Sequence, residues 1–360
     1  MALEKRVSLR QVAQKLGVSP STVSRALRDS PEISEETKRR VRQALIEMTG
    51  SAGLPSRGVK QALRDVAVLI SRPLRSLTSD EFFAQVINGV VSCAESAGCH
   101  VLLSPIDAGG DWVPPRILEN RRVDALIVGG ISISPAYREG LSKLSVPVVY
   151  IGKHQDEPDN HAVIPDNVRG GRLVAEHLVA CGYERFLYLG GGLDTFVFRD
   201  RLEGFRQGLA QHGFRLRAAD VVSAAGIDRV GGYEAVKGLL GQMGEEFGRE
   251  RLGIFAATDW MAAGALQALL EARIGVPDPV GIVGYSDLEL ASHVCPPLTT
   301  VRVDAYALGY LAFRLVEEIW AGRVTMSTQI WMQPRLVVRS TTAGAREAEH
   351  VMEKEASSGA

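Results

Sequence analysis

"VSLRQVAQKLGVSPSTVSRAL", residues 7–27, decides how the chain begins. Leu9, Val12, Ala13 and Leu16 recur at i, i+3, i+4 and i+7, the spacing of one apolar helix face. Ser8 and Gln11 form a capping box ahead of that face, Gly17 ends the helix, and Val18 fills the turn. Ser19 then caps a second helix that opens on Pro20, a residue suited to the first helical position. Val23 and Leu27 give this second helix a single narrow apolar stripe. Its other faces carry Ser21, Thr22, Ser24, Arg25 and Arg28. Ser34 caps a third helix, with Glu35 and Glu36 set against its N-terminal dipole and Val41, Ala44, Leu45 and Met48 on its inner face. Two helices joined by a tight glycine turn and backed by a third make a helix-turn-helix unit.

Charge separates this head from the rest of the chain. Residues 1–64 hold 13 Lys/Arg against 6 Asp/Glu, so the remainder of a chain with net charge −1 carries −8. A basic head on an acidic body points to a polyanion partner for the head alone. Residues 49–64, "TGSAGLPSRGVKQALR", begin rich in Gly, Ser and Pro and read as a linker. From Asp65, buried-type strands alternate with amphipathic segments. The strands are VAVLI (66–70), HVLL (100–103), DALIVGG (124–130), PVVYIG (147–152), RFLYLGG (185–191), LGIFAAT (252–258) and VGIVGYS (280–286). Helices are expected at 82–97, 168–181, 199–212 and 260–273. Such alternation means parallel sheets covered by helices, and this many strands over this length suggests two lobes.

Several function classes fall away. Cys93, Cys99, Cys181 and Cys295 have no metal-ligand or redox spacing and read as reduced thiols. The start has no apolar run of signal-peptide type, and no apolar segment approaches the ~20 residues of a membrane span, so a cytoplasmic protein without membrane contact is expected. YLGGGLD (188–194) follows a strand, but it is neither G-x-G-x-x-G nor a Walker sequence, and the seven histidines form no metal cluster. No enzyme, cofactor or metal site is expected.

The head and body together resemble the LacI family of bacterial transcription regulators. The resemblance is carried by VSLRQVAQKLGVSPSTVSRAL, ISEETKRRV, RRVDALIVGG, RLEGFRQGLA, TDWMAAGAL, VGIVGYSD and PPLTTVRV, in the family's order, from about Val7 to about Thr341. It implies an N-terminal all-α helix-turn-helix head plus an α/β, periplasmic-binding-protein-like body of two parallel-sheet lobes crossed three times by the chain. The expected divisions are a DNA-binding domain at 1–49, a hinge at 50–64, an effector-binding body at 65–342 and a disordered tail at 343–360. Within the body the first lobe is expected at about 65–163 and 296–323, and the second at about 164–295 and 324–342. The resemblance implies a homodimer that binds near-palindromic operator DNA, most simply as a repressor, under control of a small-molecule effector such as a sugar or sugar derivative. A solute-binding protein with no regulatory role is the alternative, and the head and the missing signal segment count against it.

The same resemblance assigns residues. The second helix enters the major groove, where Arg25 can offer two donors to a guanine edge. Ser21 lies on the same face, and Arg28 there can reach base or phosphate. Ser19, Thr22 and Ser24 suit phosphate oxygens, and Pro20 belongs to the same contact segment. In the hinge, Arg57 and Val59 fall at DNA-contact positions. Val59 stands where relatives place a leucine wedge, and it follows Gly58, so a weak hinge is expected. For the effector, Arg201 matches an arginine that holds a ligand carboxylate or hydroxyl, and Phe82 and Phe83 match aromatic contact positions. Thr258, Asp259, Trp260 and Ser286 complete the expected pocket. Relatives often carry Asp at the position of Ser286 and Asn at that of Thr258, and Pro165 is a further departure, so this pocket has less capacity for paired hydroxyls than a typical sugar pocket.

Overall fold

A computed structural model describes residues 9–27, 30, 32–34, 36–41, 44, 62–71, 80–120, 123–130, 133–153, 160–244, 247 and 249–342. The chain divides into two units, Met1–Leu63 and Arg64–Ala360.

In the first unit, α1 (Leu9–Leu16) and α2 (Pro20–Leu27) are joined by Gly17 in the left-handed region (φ 67°). Val12, Ala13, Val23, Ala26, Val41 and Ala44 make its core, with Leu16, Val18 and Ile33 against it. Val18 donates its N–H back to the Ala13 carbonyl, which seats it in the turn as expected. Ser19 Oγ accepts the Thr22 N–H at 3.0 Å, the expected cap. Residues 36–41 are helical. Ser8, Glu35, Leu45 and Met48 lie outside the described residues, as do the hinge through 61 and the tail from 343.

The second unit holds two six-stranded sheets. The elements are β1 (Asp65–Ser71), α3 (Glu81–Ser96), β2 (His100–Pro105), α4 (Arg116–Asn120), β3 (Ala125–Gly130), α5 (Pro135–Ser142), β4 (Val148–Ile151), β5 (His161–Pro165), α6 (Asn167–Ala180), β6 (Arg185–Gly190), α7 (Phe196–Gln211), β7 (Val221–Ser223), α8 (Arg229–Met243), β8 (Leu252–Ala256), α9 (Asp259–Glu271), β9 (Val280–Ser286), α10 (Leu290–His293), β10 (Thr299–Arg302), α11 (Ala305–Trp320), β11 (Gln329–Met332) and β12 (Arg335–Val337). The first sheet runs β11-β5-β4-β3-β1-β2 and is wholly parallel. The second runs β12-β10-β9-β8-β6-β7, with only β12 antiparallel, to β10. All residues of β3 and β8 are buried, as expected of parallel strands covered on both faces.

The chain passes between the lobes three times, after β5, after β10 and after β11. At the first two passages an aspartate caps the helix beyond: Asp166 accepts the Arg169 N–H at 2.9 Å and Asp304 the Ala307 N–H at 2.8 Å. Two strands lie in the lobe opposite to the one expected. Residues 299–302, expected in the first lobe, pair with β9 in the second sheet, and residues 329–332, expected in the second, pair with β5 in the first. A four-residue strand carries apolar character that suits either sheet, and only its backbone pairing decides which one it joins.

The helices that flank each sheet pack as close pairs through facing glycines. A Cβ on Gly204 of α7 would stand 1.8 Å from the Val168 carbonyl oxygen of α6, and one on Gly171 of α6 would stand 2.1 Å from that of Arg201 on α7. Gly89 and Gly309 face each other's helices in the same way across α3 and α11, as do Gly232 and Gly264 across α8 and α9. Backbone cannot yield as a flexible side chain can, so a methyl group here forces the helices apart.

Gly204→Ala should therefore lower body stability by about 1–3 kcal/mol, the usual cost of overpacking. Gly238→Ala, in the interior of α8 with nothing within 4 Å of the added Cβ, should instead stabilise by about 0.5–1 kcal/mol through lost chain entropy. Thermal denaturation of the two variants beside the parent checks both signs.

Candidate functional site

The head presents the outer face of α2. Ser19, Pro20, Ser21 and Arg25 are exposed, and Thr22 and Ser24 half-buried. Ser19 Oγ lies 2.7 Å from Ser21 Oγ and 2.8 Å from Thr22 Oγ1, so the three hydroxyls form one cluster at the start of the helix. Arg25 reaches sideways and donates to Glu32 Oε2 at 3.1 Å, with both side chains more than half exposed. An exposed pair of this kind contributes about 0–1 kcal/mol, little enough for the guanidinium to exchange it for a stronger acceptor. Arg28, Arg57 and Val59 lie outside the described residues.

The body contains a cavity of about 410 Å³ between its two sheets, a size suited to a small organic ligand. It opens where parallel strands end: Gly130 closes β3, Gly152 lies just past β4, Pro165 closes β5 and Ser286 closes β9. Strand carboxyl ends are where α/β folds leave a crevice. The first lobe contributes Phe82 and Phe83, whose rings meet edge to face at 5.7 Å between centroids. The second contributes Arg201, Thr258, Trp260 and Ser286.

Arg201 is fixed from three sides. Its backbone is held by the α6–α7 glycine contact. Its Nε donates to Asn167 Oδ1 at 3.0 Å, a terminal nitrogen donates to the Ala257 carbonyl, and its Cζ lies 3.6 Å from the centre of the Tyr285 ring. It is only 7 % exposed. Burial pulls its pKa below the ordinary arginine value, but an arginine remains protonated in proteins. Burial likewise pushes the Tyr285 hydroxyl up to about 12, so the ring beneath the cation is neutral.

Asp259 does not line the cavity. It is fully buried beneath β9 and β10, where Oδ1 accepts from Thr300 Oγ1 at 2.5 Å and Oδ2 from the Leu288 N–H at 2.8 Å. Its neighbours Thr258 and Trp260 face the cavity because successive residues at a helix start point about 100° apart. Thr258 is itself committed, accepting the Met261 N–H as helix cap and donating to the Ile227 carbonyl at 3.1 Å. Asp287, the carboxylate next to Ser286, also turns away: Arg302 Nε donates to it at 2.6 Å and Arg339 at 2.7 Å. Ser286 and Asp287 both hold positive φ, at 121° and 56°, in the turn that makes this divergence.

Contacts among the described residues join the lobes beside the cavity. The Glu289 N–H donates to Glu81 Oε1 at 2.8 Å. Lys153 Nζ lies 3.8 Å from Asp200 Oδ2 and 5.4 Å from the Phe196 ring centre. Sequence reasoning missed Asn167, Asp80 and Asp228 as cavity residues. Each sits in a helix-start pattern that reads as capping alone, and capping is indeed part of what Asp80 and Asp228 do.

Comparison with known proteins adds two family matches. Residues 8–49 match Bacterial regulatory proteins, lacI family, and residues 175–342 match a Periplasmic binding protein-like domain. The HTH-type transcriptional regulator CelR of Thermobifida fusca is 27 % identical over 353 residues, covering 95 % of this chain and all of that protein. Among solved structures, a transcriptional regulator CelR–cellobiose complex superposes with a TM-score of 0.69 at 26 % identity, covering 93 % of this chain and all of the other. The lac repressor dimer bound to operator and the anti-inducer ONPF gives 0.66 at 26 % identity, covering 94 % and 99 %.

The buried Asp259 sets a pH dependence. Burial pushes its carboxyl up to about 6 from an ordinary 3.8, against hydrogen bonds that favour the carboxylate. A raised folded-state value means that the fold prefers the protonated group. Its stabilising contribution is complete below the ordinary value and is lost as pH rises through about 6. The stability of the parent relative to Asp259→Asn should thus fall by roughly 2–3 kcal/mol between pH 4 and pH 7. Urea denaturation of both proteins across that range measures it, and parallel curves would count against this assignment.

Proposed function

This chain belongs to the lacI family of bacterial regulatory proteins, and we propose that it is a transcriptional repressor that grips a near-palindromic operator with the paired heads of a homodimer and is switched by a small effector held between the lobes of its body. The observation that carries this reading is the joint presence, in one chain, of an exposed polar recognition helix and a cavity built around a buried arginine. A solute-binding role would leave the head without a purpose. No helix among the described residues is long and apolar enough to cross a membrane, and the reading places the protein in the cytoplasm with its operator. It assigns the chain no catalytic step.

On DNA, Arg25 exchanges Glu32 for a guanine edge, with two donors set against O6 and N7. The Ser19, Ser21 and Thr22 hydroxyls, with Ser24, set the register through phosphate oxygens, and Pro20 holds the start of the helix. Arg28, Arg57 and Val59 complete the DNA-contact set. One head covers a half-site, so a dimer is needed to read the whole operator. The outer faces of α3 and α11 expose Val91, Tyr306 and Tyr310, and α9 exposes Leu270, apolar surface that suits the two-fold contact.

In the body, Phe82, Phe83 and Trp260 supply flat apolar walls and Arg201 supplies the polar anchor, with Thr258 and Ser286 at the rim. Relatives in the family pair with cellobiose and with ONPF, and a sugar or sugar derivative fits the same frame. An effector that prefers one lobe arrangement couples to operator affinity by about 1–3 kcal/mol, and DNA alters effector affinity by the same factor.

A gel-shift selection from random duplex DNA should recover a near-palindrome, whereas uniform weak binding to all sequences would sink the operator reading. Against that operator, Arg25→Ala should cost about 1–3 kcal/mol, and Val59→Ala clearly less, because valine is a short wedge. Arg201→Ala should abolish the response of operator affinity to the effector while the unliganded protein still binds its operator.

A further inference from the structure

We propose that the first lobe carries a second small-molecule site, a polar groove over the amino ends of β4, β5 and β11 that takes a small organic anion on Arg138. It is separate from the cavity between the lobes and does not rest on the reading of that cavity as the effector site. The groove encloses about 570 Å³, within the range of small-molecule sites. The interlobe cavity lies at the carboxyl ends of the same strands, at Gly152 past β4 and at Pro165 of β5. The groove lies at their opposite ends, at Pro147 and Val148, at Asn160 and His161, and at Ser327 ahead of β11. His161 and Pro165 open and close β5, which sets them about 13 Å apart at a rise of ~3.3 Å per residue.

The donors in this groove lack acceptors. Arg138 stands half-buried on α5. Among the described residues its guanidinium makes one hydrogen bond, from Nη1 to the Ile133 carbonyl at 2.7 Å, and no ion pair. The Nε–Nη2 edge is left with two parallel N–H donors, the fork that a carboxylate or phosphate meets in bidentate geometry. Asn160 Oδ1 accepts from Gln329 Nε2 at 3.3 Å, which leaves the Asn160 amide nitrogen to donate to another acceptor. His161 Nδ1 is enclosed and has no hydrogen-bond partner, a costly state that a turn of the ring towards a bound acceptor relieves. Among the described lining residues the one carboxylate is Glu139, and Lys143 Nζ answers it at 2.7 Å. Burial holds His161 below the ordinary histidine value, so the ring is uncharged at pH 7. Arg138 is thus the unmatched charge of the described lining.

The rest of the wall sets the body of the ligand. Leu141, Leu144, Val146 and Val148 line the groove and belong to the packed core of the first lobe, so they form a fixed apolar floor for a short carbon skeleton. Ser327 is exposed at the rim and adds a hydroxyl donor. An anionic headgroup on Arg138 and Asn160, with its carbons on this floor, uses both parts of the groove, whereas a neutral ligand leaves the guanidinium fork unmatched.

The test uses the full-length protein and two matched probe pairs, hexanoate with hexanamide and glycerol 3-phosphate with glycerol. Titration calorimetry reads affinity, and thermal denaturation of each variant checks that the fold persists. In the parent, at least one anion should bind ten-fold or more tightly than its neutral mate, and the two pairs tell a carboxylate ligand from a phosphate one. Arg138→Gln should weaken that anion ten-fold or more. Asn160→Asp keeps the shape of the side chain and an acceptor for Gln329, so it reads the same loss by setting a negative charge in the groove, even if Arg138→Gln does not fold. Anions that bind no tighter than their neutral mates, no anion binding at millimolar concentration, or unchanged anion affinity in either folded variant would each overturn the proposal. Anion binding that is lost in Arg201→Ala and kept in Arg138→Gln places the ligand between the lobes, which removes the second site and leaves the effector reading standing.

Discussion

The approach of α6 to α7 is the contact on which the ligand site depends. Gly204 meets the Val168 carbonyl and Gly171 meets that of Arg201, and at that spacing no side chain separates the two backbones. The result is that Asn167, at the first turn of α6, comes within hydrogen-bonding distance of Arg201 one turn into α7. A long cationic side chain loses considerable rotamer freedom when buried. Here the loss is offset by a fixed backbone, a ring beneath the guanidinium and two acceptors around it.

The same device recurs at α3–α11 and α8–α9, and it explains how two thin lobes remain rigid while the space between them stays open. Apolar burial lies in the sheets and on the helix faces packed against them. Leu69, Leu126 and Val128 in the first lobe, and Ile254, Val280 and Ile282 in the second, are inaccessible to solvent. Among the described residues the contacts that join the lobes include three chain passages, the Glu289 N–H on Glu81 and Lys153 near Asp200. Rigid bodies joined by weak polar contacts are suited to hinge motion, and a ligand that touches both lobes can shift that balance by the difference in its own contacts.

Carboxylates near the cavity divide between structure and ligand according to burial. Asp259 and Asp287 anchor the turn after β9, where positive φ at two non-glycine residues must be held in place. Asp80 and Asp228 cap helices at the cavity edge. The turn after β9 is thus fixed by Asp259 and Asp287, both turned away from the cavity, while Asp80 and Asp228 remain on its lining together with Arg201. A site with polar groups held in place discriminates among ligands, because a wrong ligand leaves a buried group unmatched.

The sequence by itself determined the elements that are locally encoded. Gly17, Val18 and Ser19 sit in turn and cap as their residue types require, and long apolar runs such as 66–70 and 280–286 became central strands because a parallel sheet buries both faces. The positions of Phe82, Phe83, Arg201, Thr258, Trp260 and Ser286 on one cavity came from the family resemblance. Tertiary structure decided the rest. The strands that the sequence left unread, β5, β7, β10, β11 and β12, are three to five residues long and lie outside the long apolar runs that revealed the equally short β4 and β8, and two of them joined the lobe opposite to the one expected. Whether Asp259 faced the ligand or the core was set by one step of helical rotation, and whether Arg25 stood free or leaned on Glu32 by a contact seven residues away. Local patterns fix backbone conformation, whereas pairing partners and the direction of a charged side chain are fixed only when distant segments compete for the same hydrogen bonds.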